Sequence, residues 1–126
     1  YWTNITQIAQ PEDEGIFIRD ILEDNVDEKY YISGRGITDR MRKNLKSVDD
    51  KAFCLTATNY KGAQANGTTL IRSGGALRRL TPTECARLQT VPDLYEWVVS
   101  DTQIYRMCGN GWTVRVIEHI LKNLFV

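Results

Sequence analysis

The residues best suited to chemistry fall in two short stretches. The first is "CGNGWTV" at 108–114, where Gly109, Asn110 and Gly111 stand directly before Trp112 and an amphipathic run. Free N–H groups at a helix N-terminus favour an anion, so this turn is a candidate anion site. A plain interhelical turn has the same composition, and taken alone the stretch favours that reading. The second is "TATNYKGAQANGT" at 56–68. Thr56 and Thr58 offer hydroxyls to phosphates, Lys61 offers charge, and Tyr60 offers stacking or a phosphate bond. Gly62 and Gly67 let a backbone approach a ligand closely. Asn59, Gln64 and Asn66 are side chains of the kind that reads base edges. A Gly- and Asn-rich hairpin loop has the same composition, so the two readings stand even.

No catalytic set accompanies these stretches. The one histidine, His119, sits mid-helix between Glu118 and Ile120, a position that suits a helix surface better than a general base. No Ser-His-Asp set, metal-ligand cluster or Walker loop is present. Of the three cysteines, Cys85 and Cys108 read as small helix residues and Cys54 as a strand residue. An odd number without a CxxC pair argues against disulfides and zinc and fits a reducing cytoplasm.

The elements that must position these residues fit in one domain. The chain has 126 residues, 42% hydrophobic and 25% charged, which is enough apolar content for a real core. No run of 18 apolar residues exists to span a bilayer. The net charge of zero conceals a segregation: residues 1–30 carry −6, residues 31–90 carry +7 and the remainder −1. A basic middle suggests a nucleic-acid surface; charge alone favours a solvated face. "YWTNI" (1–5) reads as a strand end, and a Gly-Arg-Gly break (34–36) precedes a short basic helix capped by Thr38 with Met41, Leu45 and Val48 on its apolar face. "AFCLTATNY" (52–60) alternates like a strand with a Thr-rich outer face, and "TLIR" and "ALRRL" flank Gly74-Gly75 as a hairpin. "TPTE" (81–84) is a capping box that starts a helix over Pro82–Gln89. "SDTQ" (100–103) opens a second helix that Gly109 can close. A third helix runs from Thr113, with Val114, Ile117, Ile120, Leu121 and Leu124 on one face. Strands first and helices last make an α+β or α/β unit.

"RRLTPTECARLQTVPD" (78–93) followed by "GNGWTVRVIEHI" (109–120) resembles the last two motifs of the DNA (cytosine-5) methyltransferases. Arg78, Leu80, Thr81, Pro82, Glu84, Arg87, Leu88, Gln89, Pro92 and Asp93 match the family's R-x-L-T-P-x-E-x-x-R-L-Q-x-x-P-D pattern. "CLTATNYKG" is similar to the end of its target-recognition region, with Cys54 where Thr is usual, and "YWTNI" to the tail of the motif before that region. The resemblance covers essentially the whole chain but only the C-terminal third of an enzyme.

The resemblance implies a methyl transfer from S-adenosylmethionine to C5 of a flipped cytosine in double-stranded DNA, after thiolate attack on C6. The cofactor strand-loop, the Pro-Cys-Gln nucleophile loop and the Glu-Asn-Val acid motif of the family are absent from this stretch. It therefore implies an α+β fragment of an α/β methyltransferase, inactive alone, that joins the remainder of the catalytic domain. Residues 1–9 would end a catalytic-domain strand, 10–77 form the target-recognition region, and 78–126 the closing helices. Thr56, Thr58, Tyr60, Lys61, Gln64, Arg72 and Arg78 would bind DNA. Asn110, the Gly111 amide and Trp112 would border the methionine end of S-adenosylmethionine at a helix N-terminus; Trp112 suits packing as well. Gly111 departs from the usual Ser or Ala, so only a backbone contact carries over. The implied setting is a bacterial or phage cytoplasm, within restriction-modification or as a solitary enzyme, with no metal and no membrane. The alternative is a stand-alone DNA-binding or specificity subunit that docks on a separate catalytic chain.

Overall fold

A computed structural model describes residues 3–32 and 36–125. The expected elements at Tyr1-Trp2 and at Gly34-Arg35 lie outside the described residues, and Thr3–Ile5 form no strand. The chain is α+β. Four short strands, β1 (Tyr31–Ile32), β2 (Leu45–Lys46), β3 (Leu70–Ser73) and β4 (Ala76–Arg79), form one mixed sheet in the order β1-β4-β3-β2. β2 runs parallel to β3, and the other two pairings are antiparallel. The Gly74-Gly75 hairpin forms as expected. Its two glycines have φ of 57° and 84°, the positive pair that a tight turn matched to strand twist requires.

The short basic helix α1 (Asp39–Lys43) is capped by Thr38, whose side chain accepts from the Met41 amide. Met41 is buried, but the helix stops before Leu45, which enters β2 instead. Helix α2 (Pro82–Leu88) carries the complete capping box: the Thr81 hydroxyl accepts from the Glu84 amide at 3.1 Å, and the Glu84 carboxylate accepts from the Thr81 amide at 2.8 Å. Helix α3 (Asp101–Asn110) is capped by Ser100 and buries Ile104, Tyr105 and Cys108. Helix α4 (Val114–Lys122) buries none of its residues.

The core draws on residues from Ile18 to Cys108. Ile18, Ile21 and Tyr30 from the acidic first segment pack with Ile71, Leu80, Cys85, Ala86, Ile104, Tyr105 and Cys108. Apolar burial of this order, at about 1.5–3 kcal/mol for a large side chain, binds the sheet and the α2–α3 pair into one unit. The Tyr105 hydroxyl donates to the Leu80 carbonyl at 2.6 Å, which satisfies a buried polar group at the centre. The boundary expected between 77 and 78 falls inside β4.

Two expectations fail locally. Residues 52–60 form no strand; they run extended and then tighten into a 3-10 turn at Asn59–Lys61. The Thr56 hydroxyl donates to Asn59 Oδ1 at 3.0 Å and lies 3.0 Å from the Thr58 hydroxyl. Side chains of this kind favour turns over ladders, and that local bonding defeats the alternating pattern. Helix α3 also runs through Gly109 instead of stopping there, and its C-cap is Gly111 with φ of −78°. Gly109 has a packing reason. A Cβ on it would lie 2.1 Å from the Thr56 carbonyl carbon and 2.2 Å from the Ala57 nitrogen.

Candidate functional site

The stretch 78–93 folds into a cluster of internal bonds. Arg78 lies on β4 with 2% of its surface exposed, and Glu84 on α2 is fully buried. The guanidinium donates from both terminal nitrogens to the Glu84 carboxylate, at 2.8 and 2.7 Å. Glu84 also accepts from the Glu23 and Thr81 amides. Burial pulls the Arg78 pKa down, and the facing Glu84 carboxylate more than offsets this, so the guanidinium stays charged. The expectation that Arg78 binds DNA is therefore wrong: a buried side chain with both ends of its fork on a carboxylate has no access to a phosphate. An arginine in a basic segment reads as surface, and only its pairing with Glu84 shows otherwise.

Arg87 and Asp93 make a second link. Arg87 holds Asp93 by paired bonds of 2.8 Å and reaches the Ile21 and Leu22 carbonyls at 3.0 and 3.2 Å. The pairing with Arg87 holds the Asp93 carboxyl below its ordinary range. Gln89, which composition does not single out, organises the junction of α3 and α4. Its Nε2 donates to the Cys108 carbonyl at 2.5 Å, its Oε1 accepts from the Thr113 hydroxyl at 3.0 Å, and its own carbonyl accepts from the Val114 amide at 2.9 Å. Thr90 beside it takes φ of 58°, a strained setting for a β-branched residue, and its hydroxyl caps the Arg115 amide at 3.0 Å.

This bonding corrects the expected anion site. Asn110 and Gly111 close the C-terminus of α3 and do not open α4, whose N-cap is Thr113. The Gly111 amide donates to the Met107 carbonyl at 2.7 Å, so it has no hydrogen left for a carboxylate. The first amides of α4 are taken by Gln89, Thr90 and Thr113. Gly111 and Trp112 instead line a cleft of about 890 Å³, together with Gln89, Thr90 and Phe53 among others. Asn110 is exposed and does not line it. Cys54, exposed, also faces this cleft, while Cys85 and Cys108 are buried and burial pushes their thiols up, Cys108 to about 11. Neither buried thiol is a nucleophile at neutral pH. His119, which lines the cleft, bonds the Ala9 carbonyl at 2.9 Å.

The remaining sequence candidates divide by exposure. Thr58, Lys61, Gln64 and Arg72 are exposed, Thr56 and Tyr60 are half-buried, and Asn59 is buried and used internally. Arg106 on α3, another residue that its sequence context does not mark, stands over the Tyr60 ring at 4.5 Å and donates to its hydroxyl at 3.1 Å. That bond lowers the Tyr60 pKa. Many of the basic side chains are occupied: Arg19, Lys29, Lys51, Arg78, Arg87, Arg115 and Lys122 sit in ion pairs. Arg40, Arg42, Lys43, Lys61 and Arg72 are exposed with no such pair among the described residues. The α1 end meets the loop after Lys61 through Asn44, whose amide nitrogen donates to the Ala65 carbonyl at 3.3 Å. Among the described residues no group of three metal-ligating side chains forms, and no helix is long and apolar enough to cross a membrane.

The fold is that of known methyltransferases. A methyltransferase of Entamoeba histolytica, EhMeth, superposes with a TM-score of 0.78 at 22% identity, over 98% of this chain and 45% of that one. The Dnmt2 methyltransferase of S. pombe superposes with a TM-score of 0.74 at 23% identity, over 92% and 44%. Residues 3–126 match the model of the C-5 cytosine-specific DNA methylases, and the chain belongs to that family. It is 34% identical over 130 residues to the Type II methyltransferase M.NlaX of Neisseria lactamica, which covers 94% of this chain and 42% of that protein. It is 46% identical over 81 residues to M.BanI of Aneurinibacillus aneurinilyticus, over 64% of this chain and 18% of that protein. The chain thus spans less than half the length of these relatives.

Proposed function

We propose that this chain supplies the DNA-contacting surface and one wall of the cofactor cleft of a DNA cytosine-5 methyltransferase of the Type II kind. The observation that carries the reading is the charge left over once the internal ion pairs are made. Exposed Arg40, Arg42, Lys43, Lys61 and Arg72 belong to α1, the turn at 59–61 and β3, elements joined by the Asn44–Ala65 bond and by the β2–β3 pairing. Phosphate neutralisation by such a set is sequence-independent and steeply salt-dependent. Thr58 and Gln64 are also exposed, and in this reading they meet backbone or bases.

S-adenosylmethionine, when bound, supplies the methyl group. The cleft fits its methionine end in part. Trp112 offers a ring and the Gly111 carbonyl an acceptor, while Asn110 stands outside the lining. Since the Gly111 amide is engaged, these groups and not a helix N-terminus would border the ligand. The nucleophile and the acid belong to the remainder of the catalytic domain. Its seat is the uncovered apolar face of α4, where Trp112, Val114, Ile117, Leu121 and Phe125 line a second, apolar hollow. A specificity subunit docking on a separate catalytic chain would use the same face. The intact mass of the native protein separates the two.

Lys61→Ala tests the DNA surface. Titrated against duplexes of different sequence, the variant weakens binding to all of them about equally and flattens the salt slope by roughly one unit. A loss confined to one sequence, with the slope unchanged, would make Lys61 a reader of bases instead.

A further inference from the structure

We propose that α3 is the positioning element of the DNA-contacting segment 56–61, and that it acts through Gly109 and Arg106. The inference rests on the reading of that segment as a DNA contact. Three observations point to it. Gly109 lies so close to the Thr56–Ala57 peptide that a Cβ would fall 2.1 to 2.3 Å from three of its backbone atoms. No rotamer change relieves a clash with backbone, so the helix and the segment meet main chain to main chain. Three residues earlier on α3, Arg106 holds the Tyr60 ring and hydroxyl. Arg79 ties the same two elements: it donates to the Asn59 and Tyr60 carbonyls at 3.5 Å and stacks on the Tyr105 ring of α3 at 5.2 Å.

The two partners differ in rigidity. Helix α3 is anchored in the core by Ile104, Tyr105 and Cys108, each at most 7% exposed. The segment is a turn without strand partners, and Asn59 is the one residue of it that is buried. Added bulk at Gly109 therefore moves the segment and leaves the helix in place, by more than an ångström if 2.1 Å is to become an ordinary contact of 3.4 Å. A displacement of about 1 Å in a positioned group can cost about a hundredfold. Gly111 and Trp112 follow the anchored helix end, so the cofactor side keeps its geometry.

The test uses the full polypeptide that carries this chain with its catalytic part. Gly109→Ala raises KM for duplex DNA by roughly 10- to 100-fold, while kcat at saturating DNA and the dissociation constant for S-adenosylmethionine stay within about threefold. Unchanged KM, or an equal loss of cofactor affinity, overturns the proposal. Arg106→Gln guards against misfolding of the glycine variant, since Arg106 is exposed. It raises KM for DNA several-fold without lowering Tm, and Arg106→Lys, which keeps a cation by the ring, recovers most of the loss. An Arg106→Gln enzyme with wild-type KM would overturn the proposal whatever Gly109→Ala does. Lys61→Ala in the same assay keeps the two readings apart: if it leaves DNA binding intact, the DNA surface itself is misplaced.

Discussion

Arg78→Ala lowers the stability of this chain by about 3–5 kcal/mol, or roughly 10–20 °C in Tm for a domain of this size. The substitution leaves the Glu84 carboxylate charged, fully buried and without the two bonds of 2.8 and 2.7 Å that now neutralise it. Two amide donors remain to Glu84, from Glu23 and Thr81, and they do not replace a full positive charge. The paired change Arg78→Met with Glu84→Gln is milder, because it strands no charge and the Gln side-chain carbonyl keeps an acceptor for the Thr81 amide of the capping box. Thermal melts of the single and double variants check both halves. A single variant that melts like the parent but binds DNA weakly would return Arg78 to the DNA surface.

Leu121→Asp separates the chain from its catalytic part without unfolding it. Leu121 is 46% exposed, beside Val114 at 44% and Phe125 at 88%. A charge there costs the isolated chain no more than about 0.5 kcal/mol. On the proposed docking through α4 the same position becomes buried, so the variant forfeits the transfer energy of a leucine and strands a carboxylate. The loss is about 3 kcal/mol or more, roughly a hundredfold in association. Calorimetric titration of the separately produced catalytic part with the two forms of this chain reads the difference directly. Equal affinities would show that the α4 face docks on nothing.

Much of the scaffold is legible in the sequence because its signals are local. The capping box at Thr81 and Glu84, Pro82 at the first helical position and Ser100 before α3 each act within one turn of helix. The Gly74-Gly75 pair is equally local, acting within the two-residue turn between β3 and β4. The features that escape a sequence reading depend on distant partners. Gly109 reads as a helix stop, since a glycine near a helix end is usually a C-cap; its purpose is the Thr56–Ala57 backbone, far from it in sequence. Residues 52–60 have strand alternation, yet Thr56, Thr58 and Asn59 bond one another and curl the chain. Asn110 and Gly111 read as the start of the helix they precede, and the hydrogen bond from Gly111 to Met107 makes them the end of the helix before. The apolar face of α4 is plain from its periodicity, but periodicity carries no information on what covers it.

The central claim is that this chain contributes the DNA surface and a cofactor wall to a cytosine-5 methyltransferase, and that the nucleophile comes from elsewhere. Incorporation of a labelled methyl group into cytosine-containing duplex DNA tests it most directly, with the 126-residue chain assayed alone and joined to its catalytic part. The account predicts no incorporation by the chain alone, and methylation at C5 of cytosine by the joined protein. That activity should weaken with rising salt in proportion to the number of exposed basic side chains engaged. Methyl transfer by the isolated chain, or a joined protein that methylates no DNA cytosine, would contradict it.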